Sequence, residues 1–333
     1  MKDIRNYSLK AHNTFGIDAR CCRFLEYENE QEAQQVAGIL NETDMPFIII
    51  GGGSNLLLTQ DYDGVVVHSA IKGYEIAGTC MVCGSGMVWD DIVAISLHHG
   101  LYGAENLSLI PGDVGASAVQ NIGAYGVEAK DLISKVYAVE ISTGQSRVFK
   151  NCECGYGYRQ SRFKQEWRNR FLVTKVCYEF SPVFEPHLDY GNIRAELERR
   201  GIVKPSAQQL REVIVDIRNA KLPDPKVMGN AGSFFMNPVV SREKYEALAA
   251  ANPGMPHYTI DESHEKIPAG WMIEQCGWKG RSLGHAGVHD KQALVLVNRG
   301  GATGSEIVAL CRQIQHDVRE RFGIDIHPEV NIV

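Results

Sequence analysis

The run Phe47-Ile48-Ile49-Ile50 passes straight into Gly51-Gly52-Gly53-Ser54-Asn55. Residues rich in β-branched side chains predict a buried strand, and three successive glycines end it. Glycine admits φ > 0 and lets a backbone approach its neighbours closely, so the loop has two readings. Its N–H groups can converge on an anion, or it can be a tight connection between strands. No Gly-Lys-Ser/Thr follows, which excludes a Walker loop. Leu56-Leu57-Leu58 continues as a β-type run, where a dinucleotide G-x-G-x-x-G would open a helix. Gly84-x-Gly86 is a second, weaker phosphate signal, and a turn is its plainer reading.

Around this loop the patterning is mixed. The opening 27 residues read as irregular or as short strands. Asn29-Glu30-Gln31-Glu32 predicts a capping box, with Ala33, Val36, Ala37 and Leu40 on one helical face. Strands are expected at Val65–Val67, Thr79–Cys83, Val136–Ile141, Phe171–Phe180 and Leu294–Val297. Helices are expected with Trp89, Ile92, Val93 and Leu97 facing inward, after Ser206, near Ser241, and from Thr303 to Gly323. Residues 103–131 show no clear period yet hold five glycines and several large apolar residues, the mark of a functional loop. Leu222-Pro223-Asp224-Pro225-Lys226 breaks the preceding helix and suggests a domain boundary. The order of elements indicates an α+β fold.

Composition narrows the function. Lys and Arg number 34 against 40 Asp and Glu, a net charge of −6. That argues against a chain whose main task is to grip nucleic acid or an anionic membrane. No apolar run approaches the roughly 18–20 residues of a membrane helix, and the N-terminal stretch lacks the apolar core of a secretory signal. The nine cysteines are odd in number and scattered, so a reducing cytoplasm fits better than a disulfide framework. Cys80-x-x-Cys83 has no second pair at zinc-site spacing, and no metal is expected.

Three further stretches bear chemistry. Gly157-Tyr158-Arg159-Gln160-Ser161-Arg162-Phe163-Lys164 offers an Arg able to grip a carboxylate through two parallel hydrogen bonds, or a solvated turn. Gly229-Asn230-Ala231-Gly232-Ser233-Phe234-Phe235 sets a Ser among apolar residues, as a proton donor or as a structural hydroxyl bonded to backbone. Pro328-Glu329-Val330 sets a carboxyl among apolar neighbours. Buried, it would favour the protonated, hydrogen-bond-donating form; the alternative is an exposed terminal Glu.

Taken in order, these motifs resemble the UDP-N-acetylenolpyruvoylglucosamine reductase (MurB) family of flavoproteins. The likeness runs from Asn13-Thr14-Phe15-Gly16 through Ile50–Leu56, Ile110-Pro111-Gly112, Gln120–Gly126, Gly157–Arg159, Lys221–Pro225, Gly229–Phe235 and Ala269-Gly270-Trp271 to Pro328-Glu329-Val330. It implies a two-part FAD-binding region of the PCMH type, 1–70 and 71–220, followed by an α+β substrate-binding domain, 221–333. It implies non-covalent FAD held by Gly51, Gly52, Gly53, Ser54, Asn55, Leu56, Pro111, Gly112, Gly115, Ala116, Ser117, Asn121, Ile122, Gly123 and Gly126. NADPH is the implied co-substrate. The implied reaction is reduction of an enolpyruvyl UDP-sugar to UDP-N-acetylmuramate, in the cytoplasm, by a monomer that needs no macromolecular partner.

The resemblance also assigns roles. Hydride added to the vinyl carbon drives negative charge onto the substrate carboxylate, where Arg159 and Glu329 are implied, and Ser233 is implied as the proton donor. Tyr190 matches the Tyr of the subgroup with an extra substrate-covering loop. Lys221, Asn237 and Gln292 match contacts to the UDP-sugar or nicotinamide cofactor, and Lys279 is a candidate for the diphosphate. Gln160 departs from the acidic residue of some relatives and leaves Arg159 intact. A flavin oxidase of the same superfamily is the rival reading, opposed by the GNAGSFF and PEV segments. A non-catalytic nucleotide-sugar binder is the third.

Overall fold

The computed structural model describes residues 1–333 as two compact units. The first comprises Met1–Ser8, Arg20–Gly52 and Tyr62–Ala220; the second comprises Leu9–Ala19, Gly53–Asp61 and Lys221–Val333.

Two sheets build the first unit. In one, strands Lys2–Ser8, Arg20–Tyr27, Tyr62–Ser69 and Phe47–Ile50 lie in that order. The first pair is antiparallel and the other two pairs are parallel. Helix Glu30–Glu42 makes the crossover that parallel strands need. Asn29 Oδ1 caps it by accepting Glu32 N–H at 2.9 Å, and the four residues of its predicted face are buried. The opening residues are therefore not irregular. Lys2–Ser8 lacks apolar alternation because it is an edge strand with mostly exposed side chains, held by backbone pairing and by a two-pronged Arg23–Asp3 contact at 2.7 and 2.6 Å.

The other sheet is antiparallel, in the order Ser146–Lys150, Ile133–Glu140, Phe171–Glu179, Cys80–Gly84, Tyr74–Ala77. Helix Trp89–His98 buries Trp89, Ile92 and Val93 in this unit's core, with Leu97 only partly covered. Residues 103–131 are not all loop: Val114–Gln120 is a helix seated on strand Phe171–Glu179. Helix Ala207–Lys221 opens on a reciprocal cap. Gln209 N–H donates to Ser206 Oγ at 3.2 Å, and Ser206 N–H donates to Gln209 Oε1 at 2.9 Å. Its buried Leu210, Val213, Ile214 and Ile217 close a small core with Ile193 and Leu197.

The second unit centres on an antiparallel sheet of Gly229–Ser233, Val295–Asn298, Ala286–Val288 and Ser282–Leu283. Helix Gly304–Phe322 packs on its two middle strands. Thr303 and Glu306 form its capping box, and Gly323 at φ 60° ends it in the left-handed conformation. Leu56–Leu57 pairs in parallel with Asn331–Ile332, from the opposite end of the chain. The fold is α+β, as the element order predicts. No helix is long and apolar enough to cross a membrane. All nine cysteines are free thiols, and burial pushes Cys83 and Cys311 up to about 12, which makes them inert fillers.

Candidate active site

In the first unit Gly51 and Gly52 lie against residues 112–116. A Cβ on Gly51 would stand 3.1 Å from Ala116 Cβ, and one on Gly52 would stand 3.3 Å from Asp113 Oδ1 and 3.6 Å from Gly112 Cα. The neighbours are thus Ala116, Gly112 and the Asp113 carboxylate, and glycine backbone at such a turn can present main-chain N–H groups to a phosphate-bearing ligand once the carboxylate is countered. Helix Val114–Gln120 begins beside it, with Gly115 N–H donating to Ser85 O at 2.8 Å. Two of the expected ligand residues turn inward instead. Ser117 Oγ donates to Val114 O at 2.7 Å and meets the Tyr178 phenol at 2.7 Å. The Asn121 amide donates to Glu128 and Gly157 at 3.1 and 2.8 Å, while its oxygen accepts Lys130 N–H at 2.9 Å. Both side chains serve packing, as do Gly84 and Gly86. A Cβ there would meet Ile71 O at 2.5 Å and Ser69 O at 2.4 Å, so Gly84-x-Gly86 is a tight turn.

A row of charged groups reaches the Gly51-Gly52 turn. Lys2 bonds Glu26, Glu26 holds His68 Nδ1 at 2.9 Å, and His68 Nε2 is 3.6 Å from Asp113 Oδ2. Burial works against a charge on His68, but its bonds to Asp113 and Glu26 outweigh burial and raise its pKa. Glu26 is likewise held low by Lys2 and His68 despite its burial. The net effect is to counter the Asp113 carboxylate next to the glycine turn.

Gly123-Ala124 and Val127-Glu128 form a short hairpin whose two turn residues, Tyr125 at φ 48° and Gly126 at φ 83°, are both left-handed. That is the tight hairpin turn that a twisted pair of strands prefers. Arg159 is itself left-handed at φ 55°, at the tip of a turn in which Gly157 and Gln160 exchange backbone bonds of 3.0 and 3.1 Å. A non-glycine residue held so is strained, and such strain concentrates at functional positions. Its guanidinium donates to Gly123 O and lies 5.2 Å from the Tyr158 ring centre. Tyr190 lies on the same hairpin, its Cβ 3.7 Å from where a Cβ on Gly126 would be.

Sequence reasoning missed Arg218. It projects from helix Ala207–Lys221, and its Nε is shut from solvent with no partner in the chain. Burial, joined by the charge of Arg159, holds its guanidinium below the ordinary pKa, while Tyr125 and Asp90 pull the other way. Asp90 is already gripped by both Arg211 nitrogens at 2.7 and 2.9 Å. Asp90 thus answers two guanidinium groups, Arg211 and Arg218, while Arg159 adds further positive charge near Arg218, an excess that an anionic ligand relieves. Arg211 and Arg218 stand seven residues apart, two helical turns, on the flank of the apolar stripe; that spacing was the available signal.

In the second unit, Ser233 ends a strand whose pairing with Val295–Asn298 slips between Asn230 and Ser233. Gly232 at φ 68° takes up the bulge, and Ser233 emerges exposed. It lies neither in an apolar pocket nor buried against backbone. Phe234 O accepts Glu329 N–H at 2.8 Å, so Glu329 runs beside the residue next to Ser233. Asn55 Nδ2 donates to Glu329 O at 3.2 Å. The structure thereby joins Asn55, Ser233 and Glu329 from three distant motifs. Glu329 is half-buried rather than enclosed.

Asn237 and Gln292 meet at one end of helix Ala269–Gln275. Asn237 Oδ1 accepts Ala269 N–H at 2.9 Å, and Gln292 Oε1 is 3.2 Å from where a Cβ on Gly270 would be. Lys279 lies toward the other end, paired with Glu274 at 2.9 Å, and is not brought to them. Lys221 is exposed at the close of helix Ala207–Lys221.

Comparison with known proteins follows this geometry. Residues 23–150 match the model of an FAD binding domain, and residues 224–333 match that of the UDP-N-acetylenolpyruvoylglucosamine reductase C-terminal domain. UDP-N-acetylenolpyruvoylglucosamine reductase of Bacteroides fragilis strain YCH46 is 54% identical over 334 residues, covering 99% of each chain. The enzyme of that name from Burkholderia multivorans is 45% identical, covering 98% of this chain and 95% of its own. The crystal structure of UDP-N-acetylenolpyruvylglucosamine reductase from Thermus caldophilus is similar in fold, with a TM-score of 0.69 at 22% identity over 99% of this chain and 98% of that one.

Proposed function

The chain belongs to the UDP-N-acetylenolpyruvoylglucosamine reductase family, and from that premise we propose how its own residues divide the work of reducing the enolpyruvyl ether of UDP-N-acetylglucosamine to UDP-N-acetylmuramate. FAD, when bound, carries hydride from NADPH to the substrate. The bare backbone of Gly51 and Gly52 against Gly112, Asp113 and Ala116 fits the phosphates of such a cofactor. Ser54, Asn55, Leu56, Pro111, Gly115, Ile122, Gly123 and Gly126 belong to the same set, while Ser117 and Asn121 act by holding its frame. The FAD-binding parts lie within 1–70 and 71–220, and the substrate domain is 221–333, the compact unit that also takes in Leu9–Ala19 and Gly53–Asp61.

Arg159 grips the substrate carboxylate through its fork of N–H donors and stabilises the charge that grows there as hydride arrives at the vinyl carbon. Arg218 adds a second positive charge beside it. Glu329 hydrogen-bonds the same carboxylate. Ser233 Oγ gives its proton to the carbon next to the carboxylate; a hydroxyl is a weak acid, but the carbon it serves is a strong base. Tyr190 contacts the UDP-sugar, Lys221, Asn237 and Gln292 contact the UDP-sugar or NADPH, and Lys279 binds the diphosphate. Tyr190 assigns the chain to the subgroup with the extra substrate loop. The enzyme acts as a cytoplasmic monomer without a nucleic-acid or membrane partner.

One observation carries this division of labour: the bulge at Gly232 that exposes Ser233 one residue from the segment bearing Glu329. Purified protein is expected to be yellow, to bleach with NADPH in the absence of air, and to regain colour when the enolpyruvyl UDP-sugar is added. Acid precipitation releases all the colour. Colour retained in the pellet refutes non-covalent FAD, and reduced protein that O₂ but not the UDP-sugar re-oxidises supports the oxidase reading instead.

A further inference from the structure

Residues 182–192 form no strand or helix and are mostly exposed, yet Tyr190 lies among them. Besides the Arg194–Asp189 ion pair near its end, several attachments place this segment. At its start, Ser181 and Tyr102 exchange backbone hydrogen bonds of 2.9 and 2.8 Å. Along it, Phe184 and Leu188 pack against the small core that Ile193 and Leu197 form with helix Ala207–Lys221. The next attachment is polar and comes from Asn106, which is only 2% exposed in the short turn Glu105–Leu107.

Asn106 Nδ2 donates to Tyr125 O at 2.9 Å and to His187 O at 3.0 Å. An amide nitrogen has two hydrogens in one plane, so the two carbonyls are fixed relative to each other. One of them belongs to the strained hairpin turn and the other to the segment that carries Tyr190. Past His187 the segment settles on that turn: a Cβ on Gly191 would be 3.5 Å from the Tyr125 ring, and Tyr190 covers Gly126.

We infer that Asn106 is a positioning residue for substrate: its amide ties the 182–192 segment to the Tyr125-Gly126 turn and so sets the affinity with which Tyr190 meets the UDP-sugar. This rests on the substrate contact proposed for Tyr190. Two part-buried hydrogen bonds weigh about tenfold in the population of the seated segment. Affinity scales with that population, whereas hydride transfer from NADPH does not depend on it.

The test compares Asn106→Ala and the near-isosteric Asn106→Asp with wild type. Each is expected to raise KM for the enolpyruvyl UDP-sugar about tenfold. The kcat and the anaerobic rate of flavin reduction by NADPH should stay near wild type, and chymotrypsin should cut within 182–192 faster. In a Tyr190→Ala background the further change in KM should vanish, since Asn106 acts through Tyr190. An unchanged KM in Asn106→Ala, or additive effects in the double variant, overturns the inference. If Asn106→Ala does not fold to yellow protein, Asn106→Ser, which keeps one donor, should give an intermediate KM, and a wild-type KM overturns the inference. Should wild type fail to turn over the UDP-sugar, the proposed function falls, and equal cleavage of 182–192 in wild type and Asn106→Asp still overturns the tie separately.

Discussion

Replacing Ser233 by Ala separates chemistry from packing. Ser233 is exposed at the end of a bulged strand, so removing its hydroxyl opens no cavity and strands no buried partner. Stability should change by no more than about 0.5 kcal/mol, the range of surface substitutions. A structural effect of that size corresponds to a factor of about two in any equilibrium. A positioned acid is worth about 10²–10⁴ in rate, or roughly 2.7–5.4 kcal/mol at about 1.36 kcal/mol per tenfold. The two outcomes therefore differ by more than an order of magnitude. In the assay, NADPH reduces the variant anaerobically, and stopped-flow absorbance follows flavin re-oxidation by the UDP-sugar. Reduction by NADPH and the melting temperature should match wild type, while re-oxidation slows at least about a hundredfold. Ser233→Cys should recover a large share, because a thiol at the same place can donate a proton. Near-normal re-oxidation in Ser233→Ala removes the hydroxyl from the mechanism.

Arg159→Lys keeps the charge and the left-handed backbone but loses the planar fork; re-oxidation by substrate should slow while reduction by NADPH persists, and equal slowing of both would make Arg159 a cofactor or folding residue. Arg218→Met removes a cation without a full partner, so the melting temperature should hold or rise while re-oxidation slows about tenfold or more; a lower melting temperature with normal rates refutes the charge argument. His68 has a raised pKa in the folded chain, so its bonds to Asp113 and Glu26 stabilise fully below about pH 6.5 and lose that contribution as pH rises through the folded value. Denaturant titrations of His68→Gln against wild type should show a gap of about 1–2 kcal/mol in mild acid that shrinks in alkali, and a gap that grows with pH would reverse the assignment. Gly53→Ala should cost about 3 kcal/mol or more or abolish soluble protein, since φ is 68° and a Cβ would lie 1.9 Å from His12 O. Gly52→Ala should fold but retain less FAD, and a wild-type melting temperature for Gly53→Ala would contradict the packing.

The helices were legible because their signals are local. Asn29, Ser206 and Thr303 each cap the helix that follows, with the predicted apolar positions buried beneath. Helix Val114–Gln120 escaped because Gly115, Ala116, Ser117 and Ala118 carry no large side chain to mark a period; its place is fixed by Ser117 against Tyr178. Of the two readings of the first 27 residues, short strands holds for Lys2–Ser8 and Arg20–Tyr27; the composition could not decide it at Lys2–Ser8 because an exposed edge strand has no apolar alternation. Arg218 escaped because the stripe beside it read as ordinary helix core. Glu329 and Ser233 were brought together only by the family resemblance, since strand pairing between the two ends of a chain leaves no trace in local composition.

The glycine loop shows why motif and geometry part company. Gly51-Gly52-Gly53 reads as one device in the sequence, yet its members answer to different constraints. Gly51 and Gly52 pack against Ala116, Gly112 and the Asp113 carboxylate, 3.1–3.6 Å from where a Cβ would be. Gly53 is more confined: Thr14 N–H donates to its carbonyl at 3.1 Å, and His12 O fills the space of a Cβ. Thr14 O in turn accepts Asn230 N–H at 3.0 Å, and a Cβ on Gly229 would meet Phe15 O at 2.2 Å. The Asn13-Thr14-Phe15-Gly16 stretch is therefore a wedge between Gly53 and Gly229, and both glycines exist to admit it. Asn13 fixes the wedge with three hydrogen bonds to its own backbone, at 2.8, 2.9 and 2.8 Å. The loop thus divides between neighbouring residues: Gly51 and Gly52 pack against residues 112–116, where the phosphate contact is proposed, and from Gly53 onward the loop is a tight connection that carries Asn55 to Glu329.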